Sequence, residues 1–191
     1  MRLITLFAVA LLLCLPSVLV ARPASKDQTV EEKRAAVRQM ASSTLAELYR
    51  KKSSARAAVT KAAGYAVFST VGAKILLAGG GKGRGIAIDN KTKHETFMKM
   101  GEIQAGFGIG VKKFKLIWVF ETQKALNDFV DAGWEFGGQA DAAAKTSKSG
   151  GSFEGAIAIA PGVWLYQLTE KGLALELTVK GTRYSLDKDL N

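Results

Sequence analysis

The sequence is poor in the residues that build thiol, metal and triad sites. It has one cysteine, Cys14, and one histidine, His94, among 191 residues. Because this cysteine lies in a predicted leader segment, we expect the mature protein to have no disulfide, thiol nucleophile or zinc–thiolate site. His94 is predicted to be solvated beside a turn at Asn90, so we expect neither a histidine metal cluster nor a Ser-His-Asp triad. A hydrolase would need a nucleophile with a positioned base, and the sequence shows neither. We therefore expect no cofactor, no metal and no enzymatic activity.

The first 21 residues have the pattern of a secretory signal peptide. Arg2 precedes an apolar run over residues 3–20, which Pro16 interrupts, and Ala21 ends it. We predict cleavage after Ala21 and an exported protein, periplasmic or secreted and able to associate peripherally with a membrane. An uncleaved inner-membrane anchor is the alternative, because the run is about long enough to span a bilayer. Cys14 does not follow a small residue, so lipidation is not expected.

Removal of the signal peptide would leave 170 of the 191 residues, enough for one domain with a sizeable core. We predict that an N-terminal helical segment, 22–62, forms one globular unit with residues 63–191. Loss of Arg2 lowers the net charge from +10 to +9. A basic exported protein favours anionic lipid headgroups, lipopolysaccharide or acidic polymers as partners, and we expect no nucleic-acid partner. The alternative is that the charge serves solubility alone.

Three helices are predicted. Thr29 and Glu32 form a capping-box pattern, followed by apolar residues at helical spacing to about Arg50. This helix has no Trp or Phe, so packing against a sheet is favoured over lying on a membrane. A second helix is expected from Ser53 to about Ala63, with Gly64 as its stop signal. Thr122 caps a third helix, which ends before Gly133.

The remaining segments predict strands joined by short turns. We expect strands at 66–68, 74–77, 79–88, 93–98, 104–112, 114–120, 153–160, 162–168 and 172–179, and a basic turn between 104–112 and 114–120. The run at 116–120 is apolar on both faces and is predicted to be central and buried. The fold class is α+β: a strongly curved, largely antiparallel, barrel-like sheet with glycine-rich strands, packed by the N-terminal helices and one mid-chain helix.

Glycines alternate along two of these segments. Gly81, Gly83 and Gly85 fall on one face of an extended strand, and residues 106, 108 and 110 repeat the spacing. Glycine inside a strand marks close approach, a bend or a bulge, so the pattern predicts a closely packed, curved sheet. A phosphate loop is excluded, because Lys82 is followed by Gly83 rather than Ser or Thr and the segment does not open a helix.

Basic residues near these strands are the candidate anion-binding site. Lys82 and Arg84 project from the face opposite the glycines, and Lys112, Lys113 and Lys115 cluster at the predicted turn, with Lys99 near them. Such residues attract lipid phosphates, each contributing about 1 kcal/mol near an anionic membrane. The alternative for each of them is an ordinary solvated residue of a hairpin.

The ordered set of motifs resembles the SYLF domain, or Ysc84 family. The similarity begins at residues 63–68, continues through Lys74 and the glycines at 79–85, and includes 101–110. It resumes at the helix 125–129 and closes at 171–177 and Gly181. The resemblance implies binding of phosphoinositides and other lipids, and in eukaryotic members a role in actin and membrane remodelling. Bacterial members of the family are mostly exported proteins or lipoproteins. This chain shows no SH3 or FYVE domain, so actin binding is not implied.

The interpretation that these observations favour is a non-enzymatic exported protein that binds anionic lipid through basic hairpin edges at Lys82, Arg84 and 112–115. The alternative is a structural or assembly protein of the cell envelope, which would use the glycine-faced sheet to contact a protein partner.

Overall fold

The computed structural model describes residues 28–75, 78–105, 110–133, 135–136, 153–170, 172–174 and 182–191. The helices are α1 (Val30–Lys51), α2 (Ser54–Lys61) and α3 (Gln123–Asp131). The strands are β1 (Gly64–Ile75), β2 (Ala78–Asp89), β3 (Glu95–Ala105), β4 (Gly110–Phe120), β5 (Glu135–Phe136), β6 (Ile157–Ala160), β7 (Val163–Thr169), β8 (Gly172–Ala174) and β9 (Thr182–Leu186). The signal peptide, residues 106 and 108, and the predicted strand beyond residue 174 lie outside the described residues.

The strands form one sheet in the order β5-β9-β3-β2-β1-β4-β7-β6, and β8 pairs with β7. Every described pair is antiparallel. The sheet curls strongly into a half-barrel, so the predicted α+β class with a curved antiparallel sheet is confirmed. The long strands β1 and β2 lie at its centre, between β3 and β4.

The predicted capping box begins α1. The Thr29 side chain accepts a hydrogen bond from the backbone N–H of Glu32, and the Glu32 carboxylate accepts one from the backbone N–H of Thr29. One side of the helix is buried against the sheet through Val37, Ala41, Thr44 and Leu48. The predicted packing of α1 on the sheet is confirmed. Within the described ranges, no helix combines the length and apolar character needed to cross a membrane.

The sheet buries apolar side chains on both faces. On the face covered by α1 and α2, here the α1 face, the core includes Val67, Ile86, Phe97 and Ile117. The opposite face, here the α3 face, carries an aromatic cluster that consists of Phe68, Trp118, Phe120, Phe129 and Tyr184. Ring centroids in this cluster lie 4.9 Å apart for Phe68 and Tyr184 and for Phe120 and Phe129. The predicted buried strand at 116–120 is confirmed, because all five residues are buried.

Three predictions about the elements are wrong, and one strand was missed. The strand expected at 66–68 and the described part of the one expected at 74–77 form a single strand, β1, because β2 and β4 pair with it on both sides along its length. The segment 112–115 is not a turn but the interior of β4, which pairs with β1 as far as Gly110. Gly64 does not end a helix; it opens β1. Strand β9 was not predicted at all, since five residues with short alternation give a weak signal.

Two glycines allow close approach within the sheet. A Cβ on Gly85 would lie 2.3 Å from Cδ1 of Phe68 and 2.4 Å from the carbonyl oxygen of Val67. A Cβ on Gly64 would lie 2.6 Å from the carbonyl oxygen of Ile88 and 2.6 Å from Cδ2 of Leu126. The expectation that glycine in β2 marks a close approach is therefore confirmed at Gly85.

We predict that Gly85→Ala destabilises the fold by about 1–3 kcal/mol, because the added methyl group overlaps both a buried ring and a backbone oxygen. Gly101→Ala in the neighbouring strand is the matched control, since a Cβ there has nothing within 4 Å. The control should be neutral or more stable, by up to about 1 kcal/mol. Urea unfolding of both variants tests this, and equal effects would contradict the packing argument.

Candidate functional site

An open groove of about 670 Å³ lies on the α1 face of the sheet. Its lining includes four cationic side chains and two hydroxyl groups. We call it the basic groove, and its residues are Ser69, Lys82, Gly83, Arg84, Lys99, Met100, Gly101, Arg183 and Ser185. It combines two of the predicted candidates, Lys82 and Arg84, with a third, Lys99.

The strand register explains why these residues meet. Arg84 is the Cα partner of Ser69 in β1 and of Lys99 in β3, and Lys99 in turn partners Ser185 in β9. In the parallel row, Lys82 partners Gly101, which partners Arg183. Alternate residues of a strand share a face, so both rows lie on the same side of the sheet as Ile86 and Phe97. The groove therefore continues from the part of this face that α1 covers.

The floor of the groove between Lys82 and Arg183 is open. Gly101 lies between these two residues in the row and is exposed, with nothing within 4 Å of the position that a Cβ would take. A side chain of any size at this position would occupy space between the two cations. The absence of a Cβ thus leaves the space between the two cations open.

Two carboxylates partly balance the four cations. Nζ of Lys99 lies 2.8 Å from Oδ2 of Asp189 and 3.0 Å from Oδ1 of Asp187, and Nε of Arg84 lies 3.7 Å from Oδ2 of Asp187. Hydrogen bonds to Asp189 and Asp187 raise the pKa of Lys99 above its ordinary value. Lys82 is exposed and makes no ion pair with any described residue. The charge of Lys82 is therefore not balanced by a carboxylate of the described residues.

Lys115 does not line the groove but pairs with a residue of α1. It partners Ser69 in the register, so two strand spacings, about 10 Å, separate its backbone from that of Arg84. Its Nζ lies 2.7 Å from Oε2 of Glu47 in α1. The hydrogen bond from Lys115 lowers the pKa of Glu47 below its ordinary value of 4.5. The ion pair between Lys115 and Glu47 therefore links β4 to α1.

Lys112 and Lys113 are placed only by their backbone, as successive residues of β4 that partner Gly72 and Val71. Their side chains lie outside the described part of the chain. The predicted basic turn is therefore wrong, whereas binding at the basic hairpin edges stays a prediction. The physical reason is that β4 continues through the basic segment because β1 offers it a full ladder of partners.

Arg183, Ser185 and Asp187 were missed because β9 was not predicted. The sequence pattern that indicates this strand is the alternation of Arg183 and Ser185 with Thr182 and Tyr184, which places the two pairs on opposite faces. Thr182 and Tyr184 are buried, whereas Arg183 and Ser185 are exposed. The five-residue strand β9, which lies between β3 and β5, thus supplies one of the four cations.

A second cavity, of about 460 Å³, lies between α3 and the turn that joins β2 to β3. Its main carboxylate, Asp89, is already engaged: Oδ1 accepts from the backbone N–H groups of Lys91 and Thr92, and Oδ2 accepts from Gln123. His94 is exposed there, as predicted. Among the described residues, no three His, Cys, Asp or Glu side chains form a group that could hold a metal ion.

We predict that Glu47 titrates below pH 4.5 in the wild type and that Lys115→Gln raises its pKa, since the lysine hydrogen bond is the largest cause of the depression. Because the folded-state pKa is lowered, the pair stabilises the fold above pH 4.5, and this contribution is lost as the pH falls through the folded-state pKa. Carboxyl ¹³C NMR titration measures both values. An unchanged pKa in the variant would contradict the pairing.

Comparison with known proteins agrees with the sequence motifs. Residues 101–191 match the model of the Ysc84 family, described as Las17-binding protein actin regulator. The chain is also similar to Beta cell expansion factor A of Aeromonas veronii, with 33% identity over 165 residues. The aligned part is 85% of this chain and 60% of that protein, so the chain spans well under the full length of this relative.

The family match begins inside β3 and covers Gly101, Arg183, Ser185 and the segment that carries Asp187. Three residues of the groove, Lys82, Arg84 and Lys99, lie before the part that matches the family model. The alignment with the relative from Aeromonas is longer and covers 85% of this chain. The resemblance to the Ysc84 (SYLF) family is thereby confirmed by the match of its model to residues 101–191 and by the similarity to the relative from Aeromonas.

Proposed function

We propose that this protein is a non-enzymatic, exported protein that binds the anionic headgroups of lipids at a membrane surface through the basic groove. One observation carries the proposal: four cationic side chains from β2, β3 and β9 surround an open glycine floor on one face of the sheet. The match to the Ysc84 family model is consistent with a lipid-binding or membrane-associated role in general.

The chemistry of the groove suits a phosphate group. Arg84 and Arg183 present planar guanidinium groups, which bind phosphate oxygens in pairs, and Lys82 and Lys99 add point charges. Ser69 and Ser185 lie at the two ends of the row that contains Arg84 and Lys99, and their hydroxyls can donate to further oxygens. The open floor at Gly101 leaves space for the phosphate between Lys82 and Arg183.

Binding without catalysis fits the groups that line the groove. Of the two carboxylates beside the cations, Asp187 is fully buried and faces Lys99 and Arg84. The hydrogen bond from Lys99 lowers the pKa of the other, Asp189, and so makes it a weaker base. A general base must be able to reach the proton that it removes. The described residues of the groove thus favour retention of an anion rather than its conversion.

The first test removes two charges from the groove. We predict that Lys82→Gln with Arg84→Gln lowers partitioning onto phosphatidylglycerol-containing vesicles by roughly tenfold or more, because each cation contributes about 1 kcal/mol near an anionic surface. Recovery on pure phosphatidylcholine vesicles should be low for both proteins. Raising the salt concentration should reduce the difference, since exposed charges are screened over about 8 Å at physiological ionic strength.

The matched control is Lys61→Gln with Lys91→Gln, which removes the same charge from two exposed lysines at the end of α2 and in the β2–β3 turn. It should retain most of the binding. An equal loss in both double variants would mean that net charge alone drives association. Equal recovery of the wild type on anionic and neutral vesicles would remove the lipid proposal and favour the envelope-assembly alternative.

A second test fills the groove without changing charge. We predict that Gly101→Val weakens binding to the same anionic vesicles severalfold, because the side chain takes the space between Lys82 and Arg183. The fold should be as stable as the wild type or slightly more so, since valine is favoured in strands over glycine. Thermal unfolding and vesicle sedimentation measure the two effects. Unchanged binding would show that the ligand does not enter the groove.

A further inference from the structure

The segment 187–191 is fixed against β3 by several contacts. The backbone N–H of Asp187 donates to the carbonyl oxygen of Phe97 at 2.9 Å. The Asn191 carboxamide accepts from the N–H of Phe97 at 2.9 Å and donates to its carbonyl at 2.8 Å. Leu190 is buried, and its carbonyl accepts from Nε of Arg34 at 2.9 Å. These contacts hold the two acidic residues of the segment beside the groove.

The two carboxylates differ in exposure. The side chain of Asp187 is 0% exposed, whereas that of Asp189 is 78% exposed, and both contact the same ammonium group of Lys99. Removing a buried carboxylate from its partners is strongly unfavourable, so Asp187 is a permanent part of the site. An exposed ion pair contributes little, so Asp189 can be replaced at Lys99 by another anion.

The charged groups around Asp189 come from three elements. Lys99 of β3 donates to it at 2.8 Å, and Lys33 of α1 and Arg84 of β2 lie close enough to favour its ionised form. These are the groups that an anionic ligand entering the groove would approach. In the free protein, therefore, an exposed carboxylate of the same chain already occupies a place that such a ligand needs.

We propose that Asp189 is an exchangeable internal counter-anion of Lys99, and that an anionic phosphate group binds in the groove by taking its place. The proposal rests on the proposed function and adds a regulatory element to the same site. The internal carboxylate competes with the ligand, so it lowers affinity for weakly anionic surfaces. Asp187 remains with Lys99 and Arg84 in both states.

The test is Asp189→Asn, with Asp131→Asn as the matched control. Asp131 is exposed at the end of α3, makes no ion pair with a described residue, and carries the same charge change on the opposite face of the sheet. We expect Asp189→Asn to bind phosphatidylglycerol-containing vesicles about two- to fivefold more tightly than the control, which corresponds to release of one exposed ion pair. In a Lys99→Gln background, the same substitution should give no gain beyond the control.

A parallel titration with inorganic phosphate, followed through the backbone amide of Gly101, distinguishes a lipid headgroup from free phosphate. A gain over the control with vesicles alone supports exchange with a headgroup, and a gain with both supports exchange with any phosphate. If Asp189→Asn matches the control in both titrations, the exchange proposal is overturned, while anionic selectivity of the wild type keeps the proposed function. If the wild type does not prefer anionic vesicles, the proposed function fails and exchange is judged by the phosphate titration.

Discussion

The fold depends on the antiparallel ladder between β1 and β2, in which twelve residue pairs run without a break from Gly64 opposite Asp89 to Ile75 opposite Ala78. This ladder fixes which residues face each side of the sheet. Phe68 packs over Gly85 on the α3 face, where a side chain at the glycine would overlap the ring. Lys82 and Arg84 consequently lie on the α1 face. A slip of one residue would place both cations in the aromatic cluster.

The α1 face is divided between a packed part and a charged part. Ile86 and Phe97 are buried under α1. The next two rows of the sheet, which contain Arg84 and Lys82, carry charged side chains and line the open groove. Asp187 is buried at this border and contacts both Lys99 and Arg84. A buried carboxylate requires partners, so these two cations have a structural role as well as an electrostatic one. Lys82 has no such partner among the described residues, so its charge is available to a ligand.

Local signals in the sequence predicted the helices well. The capping box at Thr29 and the cap at Thr122 are both present, because these side chains satisfy N–H groups a few residues away and need no tertiary information. The face carrying Lys82 and Arg84 followed from alternation alone. By contrast, the turn expected at 112–115 was wrong, since continuation of β4 depends on β1, more than thirty residues earlier in the sequence. The ion pair between Lys115 and Glu47 and the position of Arg183 in the groove could not be predicted, because each depends on which elements lie next to each other in the fold.

The Asn191 carboxamide accepts a hydrogen bond from the N–H of Phe97 and donates one to its carbonyl oxygen, as the backbone of a paired strand would. Together with the buried Leu190, it holds the backbone on both sides of Asp189, so release of that carboxylate from Lys99 needs only rotation about side-chain bonds. Rotations of exposed side chains take picoseconds to nanoseconds, whereas opening of a chain segment takes microseconds or longer. The proposed exchange therefore requires no opening of the chain segment that carries Asp189.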